Sequence, residues 1–257
     1  MSYTIEQIAG LLHADLVGNG GLLINWLLID SRSLCFPEDT LFFALKSKRN
    51  DGQRYIPGLY AKGVRAFVVT EKPHHFDTMS DANFLIVPDT RKALQKLAEF
   101  HRSQYEVPII GITGSNGKTV VKEWLYQLLS DRYRVTRSPR SYNSQVGVSL
   151  SAWLLGEQTE LGIFEAGISE MGEMEALQAI IRPTIGILTN IGGAHQENFY
   201  SLQEKCMEKL ALFKDCDVII YNGDDELLCD CVAKSLLTAK EIAWSVDDDE
   251  KPLYIRS

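Results

Sequence analysis

Long apolar runs are missing from this 257-residue sequence. No stretch approaches the roughly twenty residues that a bilayer-spanning helix needs. The opening MSYTIEQIAGLL carries an acidic Glu6 and lacks the basic start and extended apolar segment of a signal peptide, so a cytoplasmic location is expected. A basic surplus is missing too: 26 Lys and Arg against 34 Asp and Glu leave a formal charge of −8, which argues against a nucleic-acid partner. Any anionic ligand must therefore be held by local devices. Cys-x-x-Cys pairs are absent, and the five cysteines fit a reducing compartment with buried thiols. A metal site at Cys229 and Cys231 is the lesser alternative. No Asn-Lys-x-Asp guanine motif occurs, which argues against a GTP switch, and there is no internal repeat or low-complexity tract.

What is present is Ile109-Ile110-Gly111-Ile112-Thr113-Gly114-Ser115-Asn116-Gly117-Lys118-Thr119, an apolar run that breaks into glycines and closes on Gly-Lys-Thr. The run predicts a buried strand, and the following VVKEWLYQLL predicts a helix whose first turn carries Lys118 and Thr119. Such a helix offers unpaired N–H groups and a partial positive charge to a phosphate. Lys118 would reach the outer phosphates and the Thr119 hydroxyl would hold Mg²⁺. Ile112 stands where the common pattern has a glycine. The alternative is a Gly-rich turn that binds nothing.

The chain divides by pattern into a small α/β domain over 1–88, a linker helix over 89–106, and an ATP-binding domain over 107–257. The first part predicts a helix at Ile5–Leu12 and strands at Leu22–Ile29, Thr40–Leu45, Ala66–Thr70 and Asn83–Val87, with a helix near Tyr55–Lys62. Asp30-Ser31-Arg32-Ser33 and the basic loop from Lys46 to Gly52 are solvated turns unless a ligand claims them. From Val107 onward strand and helix alternate, which predicts a mainly parallel sheet with helices on both faces. Its strands are expected at Pro108–Thr113, Arg134–Thr136, Glu160–Phe164, Thr184–Leu188 and Asp217–Tyr221, and the pattern lacks the sheet's last strands. The fold class is thus α/β, with a P-loop-type central domain that is incomplete.

Ligands of parallel sheets sit at the carboxyl ends of the strands. There the sequence places Glu165, then Thr189-Asn190-Ile191-Gly192-Gly193-Ala194-His195, then Asn222-Gly223-Asp224-Asp225. A Glu at a strand end is often only a surface residue; opposite a Gly-Lys-Thr loop it becomes a candidate Mg²⁺ ligand with Thr119. His195 taken alone divides evenly between hydrogen bonding and a site role. His13, His74, His75 and His101 lie away from the strand ends and read as surface or structural.

Taken together, these motifs resemble the Mur ligase family of peptidoglycan synthesis, and within it the MurF type. The resemblance rests on Thr113 to Thr119, Lys122-Glu123, Tyr142-Asn143-Ser144-Gln145-Val146-Gly147, Glu165-Ala166-Gly167 with Met171-Gly172-Glu173, and Pro183 to His195. Asp30-Ser31-Arg32, Leu41 to Leu45 and Asp51-Gly52 are similar to the family's UDP-sugar domain. It implies an ATP-dependent, Mg²⁺-requiring ligase that phosphorylates the carboxylate of a UDP-N-acetylmuramoyl-tripeptide and lets the amine of D-Ala-D-Ala attack the acyl phosphate. It further implies catalytic roles for Lys118, Lys209 and His195. Nucleotide contacts would come from Gly114, Ser115, Asn116, Gly117, Lys118, Thr119, Asn143, Asn190 and Asn222. Metal ligands would be Thr119, Glu165, His195 and a carbamylated Lys209, and UDP contacts Ser31, Arg32 and Asp51.

Leu210 and Ala211 depart from the Gly-Glu usual after the carbamylated lysine, Ser144 and Ser149 replace Asn and Pro, and Gln53 replaces His. Mur ligases carry a third domain that docks the amine substrate; the resemblance implies that this chain lacks it and is inactive alone. Some MurF-type proteins continue into an alanine racemase. A MurE-type ligase and a non-catalytic nucleotide-binding module are the alternatives.

Overall fold

The computed structural model describes residues 1–47, 51–74, 76–193 and 198–256. The chain forms two compact units, Met1–Leu97 and Ala98–Ser257, each taken by itself below.

In the first unit, α1 (Ile5–Leu12) starts on a capping box in which Thr4 and Gln7 satisfy each other's backbone N–H groups. A five-stranded sheet runs in the order β2 (Asp15–Val17), β7 (Asn83–Ile86), β6 (Ala66–Val69), β5 (Thr40–Phe43), β4 (Trp26–Leu28). Only β2 is antiparallel to its neighbour. Phe42, Phe67 and Phe84 are fully buried in its core with Ile56 and Leu59 of α2 (Ile56–Ala61). The single strand expected over Leu22–Ile29 is instead two strands in two sheets: β3 (Leu23–Ile24) pairs with β1 (Tyr3–Thr4). Asn25 makes the break. Its N–H donates to Asp39 O at 2.9 Å and its Nδ2 to Asp39 Oδ2 at 2.9 Å, which takes that residue out of the ladder.

Helix α3 (Thr90–Ser103) leads into the second unit. There β8 (Ile109–Thr113), β9 (Val135–Arg137), β10 (Leu161–Glu165), β11 (Ile185–Leu188), β12 (Val218–Asn222), β13 (Lys240–Ser245) and β14 (Leu253–Tyr254) form one sheet. The order is β14-β13-β12-β11-β8-β10-β9, and every pair is parallel. Strand β8 lies between β10 and β11, so the chain winds one way from β8 to β9 and β10 and the other way from β11 to β14. That reversal opens a crevice at the carboxyl end of β8. Ile110 and Ile112 pack with Val121, Leu125 and Leu129 of α4 (Lys118–Leu129) on one face. Ile109 and Phe164 pack on the other with Val148 of α5 (Gln145–Ala152), Leu177 of α6 (Glu173–Ile181), Leu210 of α7 (Leu202–Leu210) and Leu228 of α8 (Glu226–Lys234). Helices thus cover both faces.

The sheet is longer than the sequence pattern suggested. Strands β13 and β14 continue it past Tyr221, and they escape notice because Lys240-Glu241 opens one and an acidic stretch separates the two.

Candidate functional site

Helix α4 begins without a side-chain cap. Its N-cap is Gly117 at φ 82°, a left-handed conformation that glycine adopts without strain. The other helices around the sheet are capped: Ser144 caps α5, Ser201 caps α7 and Asp225 caps α8. Helix α6 is capped from α7, where Glu208 Oε1 accepts Gly172 N at 2.9 Å and Met174 N at 3.1 Å. The amides at the start of α4 are thus left for an anion.

The loop before them is laced to the segment after β11. Ser115 N donates to Asn190 O at 2.8 Å, Asn116 N to Asn190 Oδ1 at 3.0 Å, and Thr189 Oγ1 to Asn116 O at 2.6 Å. Gly114 sits at φ 144°, where an added Cβ would stand 2.0 Å from Thr189 Oγ1. Ile112, in the place of the expected glycine, is a fully buried strand residue that packs the loop's root.

The loop bounds a cavity of about 130 Å³ that also receives Asn143, Glu173, Lys205 and Lys209. Lys118 Nζ folds back on its own loop, donating to Gly114 O at 2.7 Å and Ser115 O at 3.3 Å. Burial lowers its pKa; Glu165 opposes the shift and Lys205 adds to it. Lys209 is 2% exposed. Burial, then the charges of Lys118 and Lys205, pull its pKa from 10.5 down to about 7. The sequence pattern gave no role to Lys205, one helical turn before Lys209. It is buried, and its Nζ donates to Gly192 O at 2.6 Å. The i, i+4 spacing on the inward face of α7 was the available signal.

Beside the cavity, Thr119 Oγ1 donates to Glu165 Oε2 at 3.0 Å and lies 3.1 Å from Ser141 Oγ. Ligands at roughly 2.1 Å in an octahedral shell stand about 3.0 Å apart when adjacent, so this oxygen pair fits a hard divalent cation. Glu165 is wholly buried, and its Oε1 lacks a hydrogen-bond partner but lies 2.9 Å from the ammonium of Lys122.

The other sequence candidates disperse. Asn222 ends β12 and accepts Asp224 N at 2.9 Å, outside the cavity lining. His195 lies outside the described residues, as do Lys48, Arg49 and Asn50 of the basic loop. In the first unit, Ser31 and Arg32 line one hollow with Asp30 and Tyr55. Asp51 lines a different one with Arg54, Lys72 and His74. Arg32 is tied to Asp30 at 2.6 Å and holds its carboxyl down at about 2.

Two family models match the chain, the Mur ligase middle domain over residues 112–255 and the Mur ligase family, catalytic domain over 23–102. The UDP-N-acetylmuramoyl-tripeptide–D-alanyl-D-alanine ligase of Bacillus subtilis (strain 168) is 32% identical over 234 residues, 88% of this chain and 50% of that protein. MurF from Acinetobacter baumannii superposes with a TM-score of 0.86 at 23% identity, over 97% of this chain and 55% of the other, a likeness of fold. MurF ligase from Thermotoga maritima, solved in complex with ADP, gives a TM-score of 0.75 at 25% identity over 87% of this chain and 51% of that one. The chain spans about half the length of the curated relatives it matches. No helix among the described residues is long and apolar enough to cross a membrane.

Proposed function

The chain belongs to the Mur ligase family, and from that premise we propose that it supplies the nucleotide and UDP-sugar sites of a cytoplasmic ligase joining D-Ala-D-Ala to UDP-N-acetylmuramoyl-tripeptide at the expense of ATP. What supports this most is one juxtaposition. The uncapped start of α4, Lys118, and the Thr119–Glu165 oxygen pair meet at the reversal point of the parallel sheet.

The amides of Gly117, Lys118 and Thr119 at the uncapped start of α4 bind the outer phosphates of ATP, with Ser115 N and Asn116 N held by Asn190 to shape the loop, and Lys118 leaves Gly114 O for the terminal phosphate. The tripeptide carboxylate attacks that phosphorus; a carboxyl O–P bond forms, the bond to ADP breaks, and an acyl phosphate results. The D-Ala-D-Ala amine then attacks the acyl carbon, loses a proton and expels phosphate as the amide forms. Two anions must meet in the first step, so charge neutralisation is the main demand on the protein. Mg²⁺ held by Thr119 and Glu165 would supply part of it. Water and phosphate oxygens would complete such a shell.

Lys209 with its pKa at about 7 keeps about half its amine uncharged near neutrality, the form that takes up CO₂ to become an anionic ligand. Family likeness alone adds His195 as its partner on a second metal. It likewise gives Asn143 to the phosphates, Asn190 to the nucleotide, Asn222 to the adenine, and Ser31, Arg32 and Asp51 to the UDP moiety. On this basis 1–88 is the UDP-sugar domain, 89–106 the linker helix and 107–257 the ATP domain.

Calorimetric titration of this chain with ADP and Mg²⁺, and with UDP-N-acetylmuramoyl-tripeptide, tests both sites; a protein that binds neither ligand overturns the assignment. Ligation assays that offer D-Ala-D-Ala and a diamino acid in turn decide the amine. Incorporation of a diamino acid in place of D-Ala-D-Ala would make it a MurE-type enzyme.

A further inference from the structure

Lys122 stands one turn after Lys118 on α4, and its side chain is fully buried. Its Nζ donates to Ser138 O at 2.8 Å and to Arg140 O, lies 2.9 Å from Glu165 Oε1, and lies 3.1 Å from Glu123 Oε1. Arg137 Nη1 holds Glu123 in turn at 2.5 Å. Two cations and two carboxylates therefore form a closed, neutral network under the phosphate loop. Buried ion pairs are weak sources of stability, because desolvating both charges costs about as much as their attraction returns. An apolar side chain of equal volume would fill the same space. The network's distinctive effect is on the orientation of Glu165.

Glu165 has two oxygens with separate neighbours. Oε1 faces the Lys122 ammonium, whereas Oε2 accepts the Thr119 hydroxyl at 3.0 Å. A cation is repelled from the first and admitted at the second. The carbonyls of Ser138 and Arg140 fix the ammonium, which fixes the carboxylate's rotation.

We propose that Lys122 is a positioning residue that engages Glu165 Oε1 and so presents Oε2 alone, beside Thr119 Oγ1, to the divalent cation that accompanies the nucleotide. This rests on Thr119 and Glu165 being the cation's protein ligands. Lys122 touches neither nucleotide nor cation; it acts through Glu165.

The experiment is a titration of Mn²⁺ into this chain with ADP present, followed by electron paramagnetic resonance, beside ADP binding measured without metal. Lys122→Met lowers Mn²⁺ affinity by about 10-fold or more, the usual cost of losing a residue that orients a metal ligand, while metal-free ADP affinity changes less than about 3-fold. Glu165→Gln is the control for the underlying site. If it leaves Mn²⁺ affinity unchanged, Glu165 is not a ligand and the premise falls. If it weakens Mn²⁺ and Lys122→Met does not, the positioning role alone falls. Equal losses of Mn²⁺ and metal-free ADP affinity in Lys122→Met also overturn it, since they would mark a general structural defect. Should Lys122→Met fail to fold, the double variant Lys122→Met/Glu165→Gln, which removes both charges, decides. Mn²⁺ affinity equal to that of Glu165→Gln supports positioning through Glu165, and a further 10-fold loss overturns it.

Discussion

The two ends of the seven-stranded sheet both contain a hollow and buried cationic side chains, yet they are built to opposite purposes. At the amino end of the strands a hollow of about 790 Å³ is lined by Arg102, Tyr105, Pro108 and Asp217, among others. There Arg102 donates to Ile181 O at 3.0 Å, Tyr105 O at 2.6 Å and Arg182 O at 3.2 Å, and burial lowers its pKa to about 10. Nearby His101 is packed against Trp153 and Tyr105 with Nε2 on Leu155 O at 2.9 Å. At the carboxyl end the cavity is only about 130 Å³, but Lys118 and Lys209 enter it with pKa values lowered by burial and by neighbouring lysines. Lysines at the smaller cavity meet carbonyls too, Lys118 at Gly114 O and Ser115 O and Lys205 at Gly192 O, but there three lysines crowd one small space beside the uncapped start of a helix. Clustering of basic groups rather than volume marks the site.

Substitutions that exchange the behaviour of the two ends would break this contrast. The largest effect belongs to Lys118→Ala, which should weaken binding of ATP with Mg²⁺ to this chain by about 100-fold, on the order of 3 kcal/mol of lost charge pairing, with the melting temperature nearly unchanged; affinity within a few-fold of the parent would remove Lys118 from the site. Acid should act at the other end. The pKa of His101 is depressed from 6.5 to about 4 by burial, so the folded state favours the neutral ring. Its contribution is complete above the unfolded value of 6.5 and is lost as pH falls toward 4, on the order of 3 kcal/mol in all. Urea unfolding across that window measures it, and His101→Gln should flatten the slope.

Arg102→Ala should cost about 2–3 kcal/mol of stability by orphaning the carbonyls of Ile181 and Arg182, with nucleotide affinity unaltered in calorimetry. A loss of nucleotide binding without a loss of stability would reverse the assignment of the two ends. The smallest change is expected from Glu106→Ala on the rim of the larger hollow, within about 0.5 kcal/mol and silent in ligand titrations; a clear effect on binding there would make that hollow a second site.

The contrast also shows why parts of the molecule could be read in advance. Helix α4 begins at Lys118 and ends at Leu129, the bounds the pattern predicts, because a glycine at positive φ starts it and apolar residues at helical spacing carry it. The phosphate loop was legible for the same reason: every feature is encoded within a dozen residues. Lys122 and Lys205 were not, since a lysine on a helix is ordinarily solvated, and only the packing of β9, β10 and the segment after β11 turns these inward. Strand β13 was hidden because Lys240 and Glu241 break its apolar pattern at the sheet's far side. Ser31, Arg32 and Asp51 were grouped by resemblance, and the fold sets them in separate hollows.

The alternation of strand and helix, the phosphate loop and the acid at the end of β10 follow from the order of residues, because these depend on local spacing and backbone freedom. Tertiary packing decided which lysines lose their water, which oxygen of Glu165 faces Lys122, and which end of the sheet draws three lysines around one cavity. Those outcomes depend on desolvation and on distances between groups far apart in the chain, which no local pattern records.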